Sequence, residues 1–209
     1  MTRKPWPPRT AEDERREASR RLGADLAAAF AGVTTLVLDC DGVLTGGELH
    51  YGPQGEALKT FHARDGLGLV LARTAGLELG LLTGRDSAIA ARRVRELGFG
   101  AIKLGRFDKL RALDEIVSEF SQSPERILYM GDDLIDVPVL DRVGLPVTVP
   151  EAPADVRARC RYVTAAQGGA GAVREVTDLV LTSRGLLGES LARLAESAES
   201  AATPGEETP

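Results

Sequence analysis

Residues 35–45, TLVLDCDGVLT, decide the fold of this chain. Their first half is a short apolar run, which predicts a buried strand over residues 35–39. Asp39 and Asp41 stand at its end, and two carboxylates two residues apart there can point into the same crevice. Gly42 lets the backbone turn sharply and present amide groups to an anion. The stretch therefore predicts a buried strand with an acidic, anion-binding turn at its carboxyl end.

Outward from this strand, short apolar runs alternate with amphipathic stretches. The sequence predicts further strands at 78–82, 101–104, 127–130 and 146–149, and helices at 66–75, 87–97, 109–120 and 134–143. Alternation repeated this often predicts an α/β fold, a Rossmann-like three-layer sandwich with a mainly parallel sheet. One segment interrupts this alternation. It consists of residues 48–51, a turn at 52–55 and residues 57–61, and it predicts a projecting β-hairpin.

The two ends of the chain are expected to lie outside the main domain, which we place at residues 33–184. Residues 1–32 predict an N-terminal extension that is helical in part, with a capping-box pattern at Thr10 and Asp13. Residues 185–196 predict a C-terminal helix. Residues 197–209 are small, acidic and contain proline and glycine, which predicts a disordered tail.

Charge and composition exclude several classes of protein. Lys and Arg total 26 against 31 Asp and Glu, a net charge of −5, so neither a nucleic-acid-binding polycation nor a basic membrane-binding surface is expected. Cys40 and Cys160 lack a metal-ligand spacing and indicate a reducing compartment. No apolar run is long enough to cross a bilayer, and the first residues lack a signal-peptide pattern. We therefore expect a soluble cytoplasmic protein.

Polar residues follow the other predicted strands as well. Thr83-Gly84-Arg85 comes after the second strand, Asp108-Lys109 after the third, and GDDLID at 131–136 after the fourth. In sheets of this type ligands bind beyond the carboxyl ends of the strands. Clustered carboxylates need protonation or a cation, and hard oxygen ligands suit Mg²⁺. The strand ends therefore predict a Mg²⁺ site.

The same residues have the chemistry of phosphoryl transfer. The peripheral oxygens of a transferring phosphoryl group need neutralising, which Lys109 and the Thr83 hydroxyl can supply. Asp39 can attack phosphorus to form an aspartyl-phosphate. Asp41 can protonate the leaving oxygen and then take a proton from the hydrolytic water.

These motifs, in this order, resemble the four motifs of the haloacid dehalogenase superfamily of phosphohydrolases. Residues 39–61, HARDG at 62–66, GDDLID and GGAGAVRE at 168–175 are similar to the 3-deoxy-D-manno-octulosonate 8-phosphate phosphatase family, and the similarity extends over residues 33–183. Two departures are Gly46, where members commonly carry an acid, and Ala170, where they often carry arginine. The resemblance implies a Mg²⁺-dependent phosphate monoesterase of lipopolysaccharide synthesis that forms homotetramers.

The resemblance also implies roles for individual residues. Asp39 would be nucleophile and metal ligand, and Asp41 would be the acid–base that also gives the metal its backbone carbonyl. Asp132 would complete the metal site, while Thr83 and Lys109 would hold the phosphoryl group. The implied substrate-binding residues are Asp41, His62, Arg64, Asp65, Gly66, Arg85, Lys109 and Asp133.

The intervals between the motifs leave no room for a cap domain, because the hairpin and single helices fill them. Phosphoryl transfer profits from excluding water. We therefore expect a neighbouring subunit to cover the site, with residues 47–61 and 168–175 as contact elements.

Other functions stay open at this stage. One is a phosphatase for a nine-carbon sugar-acid 9-phosphate, and another is an inactive oligomerisation or binding module of the same fold. A phospho-accepting receiver is disfavoured by the order of the motifs. In a receiver the acidic pair is followed by the accepting Asp on a later strand, then by Thr and finally by Lys, whereas here acids return after Lys109. For Asp136, a functional role and simple stabilisation of a helix N-terminus are equally open.

Overall fold

A computed structural model describes the backbone of residues 10–202 and the side chains of residues 10–199. Its strands are β1 (Thr35–Leu38), β2 (His50–Gly52), β3 (Gly55–Leu58), β4 (Glu78–Leu82), β5 (Ala101–Lys103), β6 (Ile127–Met130), β7 (Leu145–Thr148) and β8 (Tyr162–Val163). Six of them form one parallel sheet in the order β5-β4-β1-β6-β7-β8, and β2 pairs with β3 as a separate antiparallel hairpin.

Helices cover the sheet. They are α1 (Ala11–Leu22), α2 (Ala24–Gly32), α3 (Ala63–Thr74), α4 (Ala88–Glu96), α5 (Lys109–Phe120), α6 (Val137–Leu140), α7 (Ala154–Arg157), α8 (Ala172–Arg184) and α9 (Leu187–Ala202), with 3₁₀ turns at Pro124–Arg126 and Leu134–Asp136. The strand order reverses at β1, so right-handed connections place helices on both faces. Helix α3 packs against α8, and α5 packs against α6. The Rossmann-like sandwich with a projecting hairpin is confirmed, and no cap domain occurs within residues 10–202.

Strand β1 is the centre of the core. All four of its residues are buried, as expected for a strand between two helical layers. Leu38 pairs with Leu81 of β4 on one side and with Met130 of β6 on the other. The register brings the carboxyl ends of these three strands to one edge, where their acidic and hydroxyl-bearing loops meet.

Several elements differ from the sequence-based expectation. The helix expected at 66–75 begins earlier, at Ala63, which places residues 64–66 in its first turn. The helix expected at 134–143 is a 3₁₀ turn followed by the short α6. Pro138 explains this break, since proline is tolerated only in the first turn of a helix. Three elements, α7, β8 and α8, were not predicted from the sequence.

The two ends of the described chain pack on each other. Helices α1 and α2 lie against α8, and the predicted capping box of Thr10 and Asp13 begins α1. Helix α9 extends past residue 196 to Ala202, because residues 197–202 hold no proline or glycine to end it. Residues 203–209 of the expected tail lie outside the described residues, as do residues 1–9. None of the described helices is long and apolar enough to span a membrane.

Candidate active site

A cleft of about 290 Å³ opens at the carboxyl edge of the sheet. Seven of the predicted site residues line it: Asp39, Asp41, Thr83, Arg85, Lys109, Asp132 and Asp133. They come from the loops that follow β1, β4, β5 and β6. The four predicted strand ends therefore meet at one place, and acids, a hydroxyl and a lysine share a single cavity.

Asp39 is held in a fixed orientation at the bottom of this cleft. It is only 6% exposed, its Oδ1 accepts a 2.6 Å hydrogen bond from the Cys40 backbone N–H, and its Oδ2 accepts one of 2.5 Å from Lys109 Nζ. Lys109 is the first residue of α5, so the helix places its ammonium group in the site. A carboxylate with defined partners on both oxygens is oriented for attack on phosphorus.

Asp136 organises the acids around it. The residue is fully buried, and its Oδ2 accepts hydrogen bonds from the backbone N–H groups of Asp132, at 3.0 Å, and Asp133, at 3.1 Å. Its Oδ1 accepts from Lys109 and from the hydroxyl of the fully buried Tyr129. The sequence left two roles open for Asp136. In the structure its side chain forms a capping box with Asp133 at the 3₁₀ turn and also binds Lys109.

The acids carry more charge than Lys109 balances. Burial and the neighbouring charge of Asp136 raise the pKa of Asp39 to about 6, although Lys109 opposes the shift. Burial and the charges of Asp39 and Asp136 raise the pKa of Asp132 to about 7. A bound cation would relieve this repulsion.

The donor set fits a divalent metal ion. Carboxylate oxygens of Asp39, Asp132 and Asp136 lie within 4.8 Å of one another. Asp136 is already occupied by four donors, so Asp39 and Asp132 are the side chains that would hold the metal. Gly42 makes room for Asp132, since a Cβ at that position would lie 2.0 Å from Asp132 Oδ2. The side chain of Asp41 lies outside this group, and a metal contact from its backbone carbonyl stays a prediction.

Asp41 is held by the hairpin. Its Oδ1 accepts a hydrogen bond from Lys59, the residue that follows β3, and Thr45 Oγ1 lies 3.3 Å away. Burial alone would lower the pKa of Lys59, but the hydrogen bond and charge of Asp41 outweigh it and raise that pKa. Asp41 Oδ2 lies 3.6 Å from Arg85 Nε.

Thr83 lies in the floor of the cleft, whereas Arg85 lies near its opening. The guanidinium of Arg85 stacks 5.8 Å from the ring centre of Tyr51 and donates to its hydroxyl, so β2 holds a residue that lines the cleft. Thr83 is buried, and its backbone bonds to Lys103 and Arg106, at 2.9 Å each, fix its loop beside the end of β5. The cleft thus has a hydroxyl in its floor and a partly exposed cation at its mouth.

Four predicted substrate-binding residues do not line this cleft: His62, Arg64, Asp65 and Gly66. Asp65 is buried and accepts hydrogen bonds from the backbone N–H groups of Gly171, at 3.3 Å, and Arg174, at 2.7 Å, so it caps the start of α8. Gly66 lies under Arg93, because a Cβ there would be 2.5 Å from Arg93 Nη2. Within one chain, capping and packing therefore account for the presence of Asp65 and Gly66 at these positions.

Three residues that shape the site were not predicted from the sequence. Lys59 and Tyr129 hold Asp41 and Asp136 respectively, and Phe107, 75% exposed, stands at the rim of the cleft. One available signal was the scarcity of lysine, since the chain has 4 lysines among 26 basic residues. Tyr129 carried no signal, because a tyrosine in an apolar strand is typical of the core.

Sequence comparison places this geometry in a family. A model of haloacid dehalogenase-like hydrolases matches residues 73–175. The 3-deoxy-D-manno-octulosonate 8-phosphate phosphatase of Escherichia coli K12 is 41% identical over 169 residues, covering 81% of this chain and 90% of that protein. The chain belongs to the 3-deoxy-D-manno-octulosonate 8-phosphate phosphatase family. It is accordingly a phosphoric monoester hydrolase.

Solved structures of the family agree with the fold. The phosphatase of Moraxella catarrhalis, in complex with magnesium, phosphate and 3-deoxy-D-manno-octulosonate (KDO), has a TM-score of 0.78 at 34% identity. The match covers 81% of this chain and 98% of the Moraxella chain. The cobalt-bound phosphatase of Haemophilus influenzae has a TM-score of 0.74 at 37% identity and covers 75% and 92%. The family resemblance seen in the motifs is therefore confirmed over most of the chain.

Proposed function

We propose that this protein hydrolyses 3-deoxy-D-manno-octulosonate 8-phosphate with Mg²⁺, through an aspartyl-phosphate on Asp39. One observation carries the proposal: the buried Asp39, fixed by Lys109, shares a cleft with Asp41 two residues along and with the acid Asp132. The names of the relatives support the substrate, since the Moraxella catarrhalis structure was solved with magnesium, phosphate and KDO.

The positions of these side chains support the following reaction. A carboxylate oxygen of Asp39 attacks phosphorus, the bond from phosphorus to the sugar oxygen breaks, and Asp41 gives that oxygen a proton. In the second step Asp41 takes a proton from water as the water attacks phosphorus. The bond from phosphorus to Asp39 then breaks and inorganic phosphate leaves.

Three groups would hold the metal ion: the carboxylates of Asp39 and Asp132 and the backbone carbonyl of Asp41. Bound there, Mg²⁺ would neutralise phosphoryl oxygens during transfer. Lys109 and the Thr83 hydroxyl supply further positive charge and a hydrogen bond for those oxygens. Lys109 has to release part of its contact with Asp39 to serve the phosphoryl group.

We assign the remaining part of the sugar site to a neighbouring subunit in a homotetramer. The hairpin exposes the apolar side chains of Tyr51 and Leu58, at 63% and 49%, beside an open cleft. Such exposure is typical of interaction surfaces. Contacts of His62, Arg64, Asp65 and Gly66 with substrate stay a prediction of this assembly. Light scattering is expected to give the mass of four chains, and a fully active monomer would contradict the proposal.

A cytoplasmic location also belongs to this proposal. The thiols of Cys40 and Cys160 are both free. Burial and the charge of Asp41 raise the pKa of Cys40 to about 12, so this thiol is protonated and unreactive although it adjoins the nucleophile. Free thiols agree with a reducing compartment.

The direct test is phosphate release in the presence of Mg²⁺. The eight-carbon sugar-acid 8-phosphate, a nine-carbon 9-phosphate and hexose phosphates are compared at equal concentration. We expect strong preference for the eight-carbon substrate and no turnover by Asp39→Asn, with an unchanged circular dichroism spectrum. Preference for the nine-carbon substrate would overturn the substrate, whereas near-normal activity of Asp39→Asn would overturn the nucleophile.

A further inference from the structure

Lys59 is a buried charged group at the junction of hairpin and cleft. Its side chain is only 1% exposed, although β3 directly before it is partly open to solvent. The ammonium group donates to Asp41 Oδ1 and lies 3.2 Å from Glu56 Oε1. Burying an ammonium is costly unless it is paired, so two carboxylates on one lysine indicate a specific requirement for charge at this place.

The two reacting carboxylates are held in the same manner. Asp39 has Lys109 as its partner, and Asp41 has Lys59. The side chains of both lysines are 1% exposed, whereas that of Lys103 is 15% exposed and pairs with the glutamates Glu115 and Glu119. A chain with so few lysines thus brings one to each acid.

The two oxygens of Asp41 have different surroundings. Lys59 and Thr45 face Oδ1, while Oδ2 is buried, has no hydrogen-bond partner among the described residues and lies 3.6 Å from Arg85 Nε, the partly exposed cation of the cleft. Asp41 lines the cleft, so Oδ2 is the oxygen that remains for a proton exchanged with substrate or water. Fixing one oxygen of a carboxylate fixes the position of the other, because the group is planar and rigid.

We propose that Lys59 is the positioning residue of Asp41, which it anchors through Oδ1 so that Oδ2 faces the leaving oxygen of the substrate. The inference rests on the proposed function, in which Asp41 is the acid–base. Glu56 completes the anchor: it holds Lys59 and accepts a hydrogen bond from Ser87, the N-cap of α4. The hairpin is thereby tied to the sheet domain at the acid.

The leaving group distinguishes positioning from general stability. A sugar oxygen needs a proton from Asp41 to leave, whereas 4-nitrophenolate leaves readily without one. For Lys59→Met we expect kcat on the sugar phosphate to fall roughly 10- to 100-fold, since general acid catalysis contributes about 10²–10⁴-fold. The loss on 4-nitrophenyl phosphate should be several-fold smaller. Lys59→Arg should recover most of the difference, and KM should change little.

Three further variants make the outcomes separable. Lys103→Met is the matched control and should resemble the wild type on both substrates. Asp41→Asn sets the benchmark: if it shows no leaving-group dependence, the acid assignment in the proposed function fails rather than the role of Lys59. Glu56→Gln keeps Lys59 and loosens its second anchor, so it decides the case if Lys59→Met does not fold. Equal losses on both substrates in Lys59→Met, or in Glu56→Gln in that case, would overturn the proposal.

Discussion

Asp136 shows how one residue supports the site without a place in the reaction. Asp136→Asn keeps the shape of the side chain but removes the charge beside Lys109, and its amide group would meet donors on every side. Breaking a buried ion pair in this way costs about 3–5 kcal/mol of the free energy of unfolding. We expect a loss of that order in urea denaturation, together with a large fall in kcat because Lys109 loses one of the two carboxylates that hold its ammonium group in place.

An exposed acid at the end of α6, Asp141, provides the comparison. Asp141 pairs with Arg159, and both side chains are nearly half exposed. Exposed pairs contribute little to stability, so Asp141→Asn should unfold at almost the urea concentration of the wild type. If the two substitutions shifted the transition equally, the central role of Asp136 would be wrong.

Most residues that line the cleft were predictable from the sequence, whereas the residues that hold them in place were not. Asp39, Asp41, Thr83 and Lys109 could be found because each follows a strand, and the ends of parallel strands meet at one edge. Lys59 follows a strand of the hairpin instead, so its burial against Asp41 depends on a tertiary contact that no local pattern encodes. The same holds for Tyr129, whose hydroxyl binds Asp136.

Among the elements, α4 has a cap in its own turn and was predicted, whereas α8 has a cap from a distant part of the chain and was missed. Ser87 caps α4 within its own turn and is visible in the sequence. Helix α8 begins at a glycine, and the side chain that binds its first N–H groups is Asp65, from α3. Strand β8 has only two residues, too few to show an alternating pattern.

Glu14 offers a test of such a distant cap. The residue is 3% exposed in α1, and its carboxylate accepts hydrogen bonds from the backbone N–H groups of Leu187, at 3.1 Å, and Gly188, at 2.8 Å, at the start of α9. A carboxylate at a helix N-terminus stabilises both the free N–H groups and the helix dipole. Glu14→Ala should therefore lower the free energy of unfolding by about 1–2 kcal/mol.

The same variant should become more sensitive to proteases near residues 185–188 and keep its activity, since Glu14 does not line the cleft. Glu17→Ala is the control, because Glu17 lies in the same helix and its partner Arg20 is 78% exposed. Equal protease sensitivity in the two variants would mean that the cap does not hold α9 in place.

For the molecule as a whole, the uncompensated acids predict how stability depends on pH. The pKa values of Asp39, about 6, and Asp132, about 7, lie above their ordinary value of 3.8. Between about pH 4 and pH 7 the folded protein therefore holds protons that the unfolded chain has lost. The contribution of these two groups to stability is fully present below pH 4 and is lost as the pH rises through their folded values.

Mg²⁺ should reverse this loss, because it binds the ionised acids and binds only the folded site. We expect the increase in Tm on adding Mg²⁺ to the metal-free protein to be larger near pH 8 than near pH 5. In Asp132→Asn, which lacks one of the two acids, the increase should be small at both values. Thermal unfolding of the wild type and of Asp132→Asn, with chelator and with Mg²⁺, gives the increase in Tm of each protein at each pH. A cation that displaces protons must bind more tightly at a pH where those protons have already left. An equal increase in the Tm of the wild type at the two pH values would therefore show that the raised pKa values and the metal site are not coupled.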